Sequence, residues 1–321
     1  MGSYIIRRVS LLIPTVILVT IIVFMTIRLI PGSIIDTMMG EMGTEALGAG
    51  FDRAALVHKL GLDVPIYEQY GKWVGSIIFH GSLGEPLRGQ GETVNQKIFG
   101  RLPVTFELGI MALIVALLIA LPIGIYSAIR QDTVGDWVAR SISILFISIP
   151  SFWMGTMIMI YPAKWWGWSP AMQLIPFSVD PIGNLKMFIV PSLVLGMVIS
   201  GTTMRMTRTM MLEVLRQDYI RTAWAKGLTE RTVVLRHAIK NALIPVVTII
   251  GMQIPILVGG SVIIEQIFVL PGLGRLMVES LSYRDYPIVS GINLFIAVVV
   301  MAANLFIDLV YAYLDPRIRY K

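Results

Sequence analysis

The sequence predicts an all-α membrane protein with six transmembrane helices and an extracytoplasmic insertion between the first two. Three observations carry this. Of 321 residues, 55% are hydrophobic and only 14% charged, where a soluble domain carries roughly a quarter charged residues. Six segments near the length needed to cross the ~30 Å hydrocarbon core contain no Asp, Glu, Lys or Arg. Basic residues gather on alternate connections between those segments, the asymmetry that sets membrane topology.

The six segments are Val9–Ile27, Leu108–Ile129, Ser141–Ala163, Met187–Met204, Asn241–Ile264 and Tyr286–Ile307. The first follows Arg7 and Arg8, as a signal peptide would. Its apolar stretch is too long for that and no small-residue cleavage site follows, so it reads as a retained helix. With the N-terminus inside, the cytoplasmic side holds Arg7, Arg8, Arg130, Arg140, the eight basic residues from Arg205 to Lys240, and Arg317, Arg319 and Lys321, more than half of the 26 Lys and Arg. Both termini are then cytoplasmic. Residues 1–30 form the N-terminal segment and first helix, 31–100 an extracytoplasmic segment, and 101–321 a five-helix core with a cytoplasmic loop over 205–240.

Within 31–100, Asp52–Leu60 reads as a short helix closed by Gly61, Tyr67–Phe79 as another, and Gly81–Gly91 as a glycine-rich turn. The segment is either a cap over the helix ends or a docking surface for an external protein. Pro14, Pro122, Pro150, Pro245 and Pro255 fall inside spans. Each removes a helical hydrogen bond, and together they predict bent, separable helices. Gly196 and Gly201 in the fourth span, and Gly251, Gly259 and Gly260 in the fifth, allow helices to approach closely. Met204, Met206, Met210 and Met211 suit packing.

Several chemistries are excluded. There is no cysteine, and His58, His80 and His237 do not form a ligand-spaced cluster. No G-x-x-x-x-G-K-[ST], H-E-x-x-H or G-x-S-x-G motif occurs. The positive charge sits beside apolar runs, so it reads as topology and not as a nucleic-acid surface. Glu107, Glu265 and Asp308 stand at span ends, where they reach the interface. A proton- or sodium-coupled carrier needs a charge or a broken polar helix near the midplane. The polar candidates, Gln253, Ser261, Asn293 and Asn304, read first as interhelical hydrogen-bond partners. Gln253 and Asn293 are the pair best suited to line a pathway.

The loop Asp218–Pro245 is the most patterned polar stretch. Apolar residues recur at Met211, Leu212, Leu215, Tyr219 and Ala223, so the fourth span continues as an amphipathic helix through Thr222–Lys226. Gly227 ends it in a left-handed cap. A second helix follows from about Thr229, with Val233, Val234 and Ala238 on its apolar side. A helix, a glycine turn and a helix make a rigid elbow fit for a groove on a cytoplasmic protein. The outer stretch Phe268–Leu276 contains Pro271, Gly272 and Gly274, a tight reversal that is either a connector or a gate element.

Arg221-Thr222-Ala223-x3-Gly227 falls on the E-A-A-x3-G pattern of bacterial ABC-importer permeases, with Arg221 and Thr222 in place of the general Glu and Ala. The stretches IIRRVSLLIPT, LGLDVPIYEQY, GRLPVTFELG, SIPSFWMG, MLEVLRQDYIRTA, EQIFVLPGLGRL, RDYPIV and LDPRIRY extend the match over nearly the whole chain. The sequence resembles the B-type permease subunit of the dipeptide/oligopeptide/nickel class.

The resemblance implies the type I permease fold in a bacterial inner membrane. It implies a second paralogous permease subunit, two ATP-binding subunits and an extracytoplasmic substrate-binding protein as partners. ATP and magnesium would be bound by the ATPase subunits, leaving this chain no cofactor and no enzymatic site of its own. Its coupling helix would lie around Arg221–Glu230, with Arg221, Lys226 and Arg231 orienting it and Ala223 and Gly227 permitting close approach; Thr222 completes the motif. Di- or oligopeptides are the implied cargo, and nickel complexes, glutathione or oligosaccharides the alternatives in the same class. A secondary carrier or channel lacks a coupling-ion site here, and six spans exceed what a membrane anchor needs.

Overall fold

Helices follow the apolar segments. In this computed structural model the described residues are 2–29, 57, 63–87, 91–168 and 174–314. They form α1 (Gly2–Arg28), α2 (Ile66–His80), α3 (Val94–Ile129), α4 (Val134–Ser148), α5 (Ser151–Trp166), α6 (Pro181–Leu215), α7 (Asp218–Ala225), α8 (Glu230–Met252), α9 (Ile254–Ile267), α10 (Leu273–Ser282) and α11 (Tyr286–Leu314). The expectations for Asp52–Leu60 and for the basic residues after Leu314 fall outside the described residues, and the surroundings of Gly259, Gly260 and the Asp308 side chain fall outside what is described of their helices.

Among the described residues, α3, α6, α8 and α11 are long and apolar enough to cross a membrane. The expected third and fifth spans are broken. Ser141–Ala163 is divided between α4 and α5, which meet at a bend of 93°. The cause is Pro150, whose ring disfavours helical geometry in the residue before it; Ile149 is extended at φ −80°, ψ 122°. Asn241–Ile264 is divided at Gln253, after which Pro255 occupies the first turn of α9, where its missing N–H costs no helical bond. Pro14 and Pro245 lie inside unbroken helices, and α3 runs through Pro122. A helix break therefore accompanies proline at two of the five positions, with a sharp bend at Pro150. The second span's helix also begins earlier than the apolar run, at Val94.

The chain divides into two compact units, Met1–Pro103 with Arg275–Ala302, and Val104–Gly274 with Ala303–Lys321. In the first, α2 packs on α1. Phe24, on α1, is 3% exposed and meets Tyr70 edge-on at 5.3 Å and Trp73 at 5.7 Å. The Thr20 and Tyr70 hydroxyls share a hydrogen bond of 2.8 Å. Gly81 closes α2 at φ +61°, as the glycine-rich turn predicted. Asn95 then ties the following loop to α3, accepting from Leu83 N–H and donating to the Gly81 carbonyl. Val94 and Ile98 on α3 pack around Gly291 of α11.

The second unit is organised by α6. Asp180 caps its start, accepting from the N–H groups of Ile182 and Gly183. On α3, Val104, Leu108, Ala112 and Ala116 recur every fourth residue and join Met187, Phe188, Val194, Leu195 and Ile199 of α6 in one core, with Leu257 and Ile264 of α9. The recurring alanines let backbones come close. A Cβ on Gly196 would stand 2.7 Å from the Ala112 carbonyl oxygen, and one on Gly201 would stand 2.9 Å from that of Ser143. Three hydroxyls on the buried side of α6 are satisfied locally: Ser200, Thr203 and Thr207 donate to the carbonyls of Met197, Ile199 and Thr203. Met204 and Met211 are buried packing residues.

Replacing Gly196 with Leu must push α6 off α3. Overpacking of this kind costs about 1–3 kcal/mol. Thermal unfolding of the detergent-solubilised chain should show Gly196→Leu markedly destabilised, with Gly71→Leu, whose Cβ position is open, near wild type.

Candidate coupling site

The basic loop forms the predicted elbow, with two differences. The first is that α6 stops at Leu215 and α7 is a separate helix, with Gln217 extended between them at ψ 148°. In an unbroken α-helix Ile220 would lie about 180° around the axis from Met211. The break puts both on one side, each 0% exposed. The inward face of α7 is therefore Ile220 and Ala223, while Tyr219 is 43% exposed. The second is that Ala223 is buried at 8%. Its small side chain permits close packing inside the elbow, beneath the outer surface.

Gly227 is left-handed at φ +77°. The Leu228 N–H reaches back to the Ala223 carbonyl, and Leu228 packs against the cluster below. This is the Schellman ending, in which a residue without Cβ at the left-handed position avoids strain. A Cβ there would meet nothing within 4 Å, so the requirement is conformational and not steric.

The second arm starts at Thr229, whose hydroxyl pairs with that of Thr232 at 3.0 Å. Val233–Ala238 is then a π-helical turn, a feature that helical periodicity does not reveal. Residues five apart on an α-helix lie about 140° apart, yet Val233 and Ala238 are both 0% exposed. The wider turn brings them to the same face. With Val234 and Ala242 they join Ala128, Met211, Ile220 and Ala223 in one apolar cluster. The expected apolar side, Val233, Val234 and Ala238, is the one the structure buries.

Polar contacts brace the elbow. Asn241 donates to the Tyr219 hydroxyl at 2.8 Å, tying α7 to α8. Arg130, at the end of α3, lies 3.3 Å from Glu230, an exposed pair worth at most about 1 kcal/mol. The turn after Arg130 is held more firmly. Asp136 is 0% exposed and accepts two hydrogen bonds of 2.8 Å from Arg208 of α6, with others from Ser127 and the Asp132 N–H. Arg221, Thr222, Lys226, Gly227 and Arg231 all face outward. Trp224, 44% exposed, adds an aromatic surface between them.

The reversal after α9 is built on a carboxylate. Glu265 is 0% exposed, so it is buried beneath the reversal and does not reach the interface. It accepts from the Thr105 hydroxyl at 2.8 Å, and that hydroxyl accepts from the Leu273 N–H at 2.8 Å, at the start of α10. A carboxylate beside a helix N-terminus is favourably placed. A Cβ on Gly272 would stand 2.3 Å from the Glu265 carboxyl carbon, and one on Gly274 would stand 2.5 Å from Val262 Cα. Both glycines are required by close approach, and Pro271 beside them is half-buried. Gln253 is 6% exposed and donates to the Thr203 hydroxyl at 3.0 Å, an interhelical bond. Asn293 is half-buried on α11.

Residues 120–320, which contain the elbow and the reversal, match the family of binding-protein-dependent transport system inner membrane components. The chain belongs to this family. It is an integral inner-membrane permease subunit of an ABC transport system. It is 38% identical over 322 residues to the oligopeptide transport system permease protein AppB of Bacillus subtilis, covering 100% of both chains. It is 35% identical over 344 residues to the dipeptide transport system permease protein DppB of Escherichia coli, again covering 100% of both. Among solved structures, an amino acid ABC transporter chain superposes with a TM-score of 0.53 at 15% identity, over 68% of this chain and 94% of that one. The permease therefore has the all-helical ABC-permease fold that the sequence predicted.

Thr105 serves two partners in the permease. Thr105→Val should destabilise the chain by about 1–3 kcal/mol per partner left unpaired. Thermal unfolding in detergent should show that loss, and Thr105→Ser should restore stability.

Proposed function

We propose that the chain forms one half of the translocation pathway of an ATP-driven importer for di- or oligopeptides. The other half is a second, paralogous permease subunit. Two ATP-binding subunits dock from the cytoplasm, and an extracytoplasmic binding protein delivers the peptide. Both termini lie in the cytoplasm. The chain carries no ATPase site and no cofactor; ATP and magnesium belong to the docking subunits.

One observation carries this reading: the elbow is a solid part of the permease with a polar, basic outer surface. Arg221, Thr222, Lys226 and Arg231 present charge and hydrogen-bonding groups at its tip, as a knob entering a groove requires. The apolar cluster beneath makes α7 move with α6 and α8. At 1.5 Å per residue the 35 residues of α6 span about 52 Å, so a displacement at the tip is carried along a helix of transmembrane length. Closure of the ATPase subunits would rock this helix and switch the pathway between its two states. Peptide as the cargo rests on likeness to the oligopeptide and dipeptide permeases. Gln253 and Asn293 are the polar pathway candidates, and Pro271, Gly272 and Gly274 form the gate candidate, because Glu265 locks their reversal into one shape.

Gly227→Val decides the coupling role. A branched residue held at positive φ costs about 1–2 kcal/mol; the turn relieves this by shifting the backbone that sets the angle of α7, so binding-protein-stimulated ATP hydrolysis and peptide uptake in the reconstituted complex should both fall. The variant should still insert and co-purify with the partner permease. Undiminished peptide uptake by the variant would remove the elbow from the mechanism.

A further inference from the structure

A cleft between α4 and α6 is not used by the transport reading. It has a volume of about 120 Å³ and is lined by Arg140, Ser143, Ile144, Arg205, Arg208 and Thr209 among others. That is roughly eightfold the space that one water needs. Arg208 is committed to Asp136. Arg140 is not committed in the same way. Its Nη2 lies 3.6 Å from Asp136 Oδ2, beyond hydrogen-bond reach, and its guanidinium carbon lies 4.2 Å from the Trp137 ring centroid. Arg140 Nε and Nη2 are buried and hydrogen-bond to nothing among the described residues.

Buried guanidinium donors are costly to leave unmade. Nε and one terminal nitrogen form the fork that matches two oxygens of a phosphate. Arg140, Arg205 and Arg208 outnumber the nearby carboxylates of Asp136 and Asp132, so the cleft keeps a net positive charge. We propose that it binds a phosphate group, supplied by the headgroup of an anionic phospholipid.

The surroundings favour a lipid source. Val134, Trp137, Val138, Ile144 and Leu145 of α4 are 79%, 61%, 52%, 64% and 52% exposed. On an integral membrane protein such an apolar helix face meets acyl chains, and Trp137 marks the headgroup level. A diacyl lipid would lay its chains along this face with its phosphate at Arg140 and Arg205. The cytoplasmic leaflet carries anionic lipid that basic clefts attract. Placement in that leaflet rests on the orientation proposed above, whereas phosphate binding rests on the cleft alone.

The test uses the full chain in detergent, without partner subunits, titrated with short-chain phosphatidylglycerol, phosphatidylcholine or inorganic phosphate and read by native mass spectrometry. Phosphatidylglycerol should bind in preference to phosphatidylcholine. Arg140→Gln should weaken it roughly tenfold, the loss of a charge-assisted hydrogen bond. Arg205→Gln, at an exposed position where misfolding is not a concern, should weaken it in the same direction. Arg231→Gln on the elbow should leave it unchanged. Inorganic phosphate that binds and is lost in the same two variants would keep the site and assign it to a soluble anion. Equal binding of phosphatidylglycerol by wild type and both variants, or equal retention of phosphatidylcholine, would overturn the proposal. Transport-coupled ATP hydrolysis plays no part in this readout, so its failure and that of the importer reading are separable.

Discussion

Burial of eight small and medium apolar side chains under the elbow is the interaction on which the functional surface depends. Ala128, Met211, Ile220, Ala223, Val233, Val234, Ala238 and Ala242 come from α3, α6, α7 and α8. An eight-residue helix such as α7 is below the length that is stable alone in water. It holds its shape because Ile220 and Ala223 are taken out of solvent. The outward arginines and lysine contribute little to that stability, since exposed charges pair weakly. Shape and surface are thus separate properties of the same stretch of chain: alternate faces set one and then the other.

Two buried carboxylates do comparable work elsewhere in the same unit. Asp136 fixes the turn between α3 and α4 to α6, and Glu265 fixes the reversal after α9 to Thr105 and the start of α10. In a low-dielectric setting a lone carboxylate is unfavourable, and several donors are needed to hold it. Asp136 has Arg208, Ser127 and the Asp132 N–H. The charge that looks out of place in an apolar sequence is in each case what makes a non-helical connection rigid.

Much of this was legible in the sequence. The charge-free runs located the helices, and Gly227 located the elbow turn because few other residues tolerate a positive φ. The breaks were only half legible. Proline announces that a helical bond is missing, but Pro122 and Pro245 stay within helices while Pro150 and Pro255 end them. Glu265 could not be placed from its neighbours, because its partner Thr105 is 160 positions away. The inward turn of Ile220 was hidden by the break at Gln217, since periodicity counted from Met211 assumes an unbroken axis. The π turn has no periodic signature at all.

That π turn has a mechanical meaning for the second arm. Its six residues close hydrogen bonds one position wider than those of the helix they continue. Each residue taken up or released by such a wide turn rotates everything beyond it by about 100°. Relaxing this turn to ordinary α geometry with the tip held fixed would therefore turn the apolar portion of the arm from Glu230 to Met252 about its own axis and change the faces it shows its neighbours.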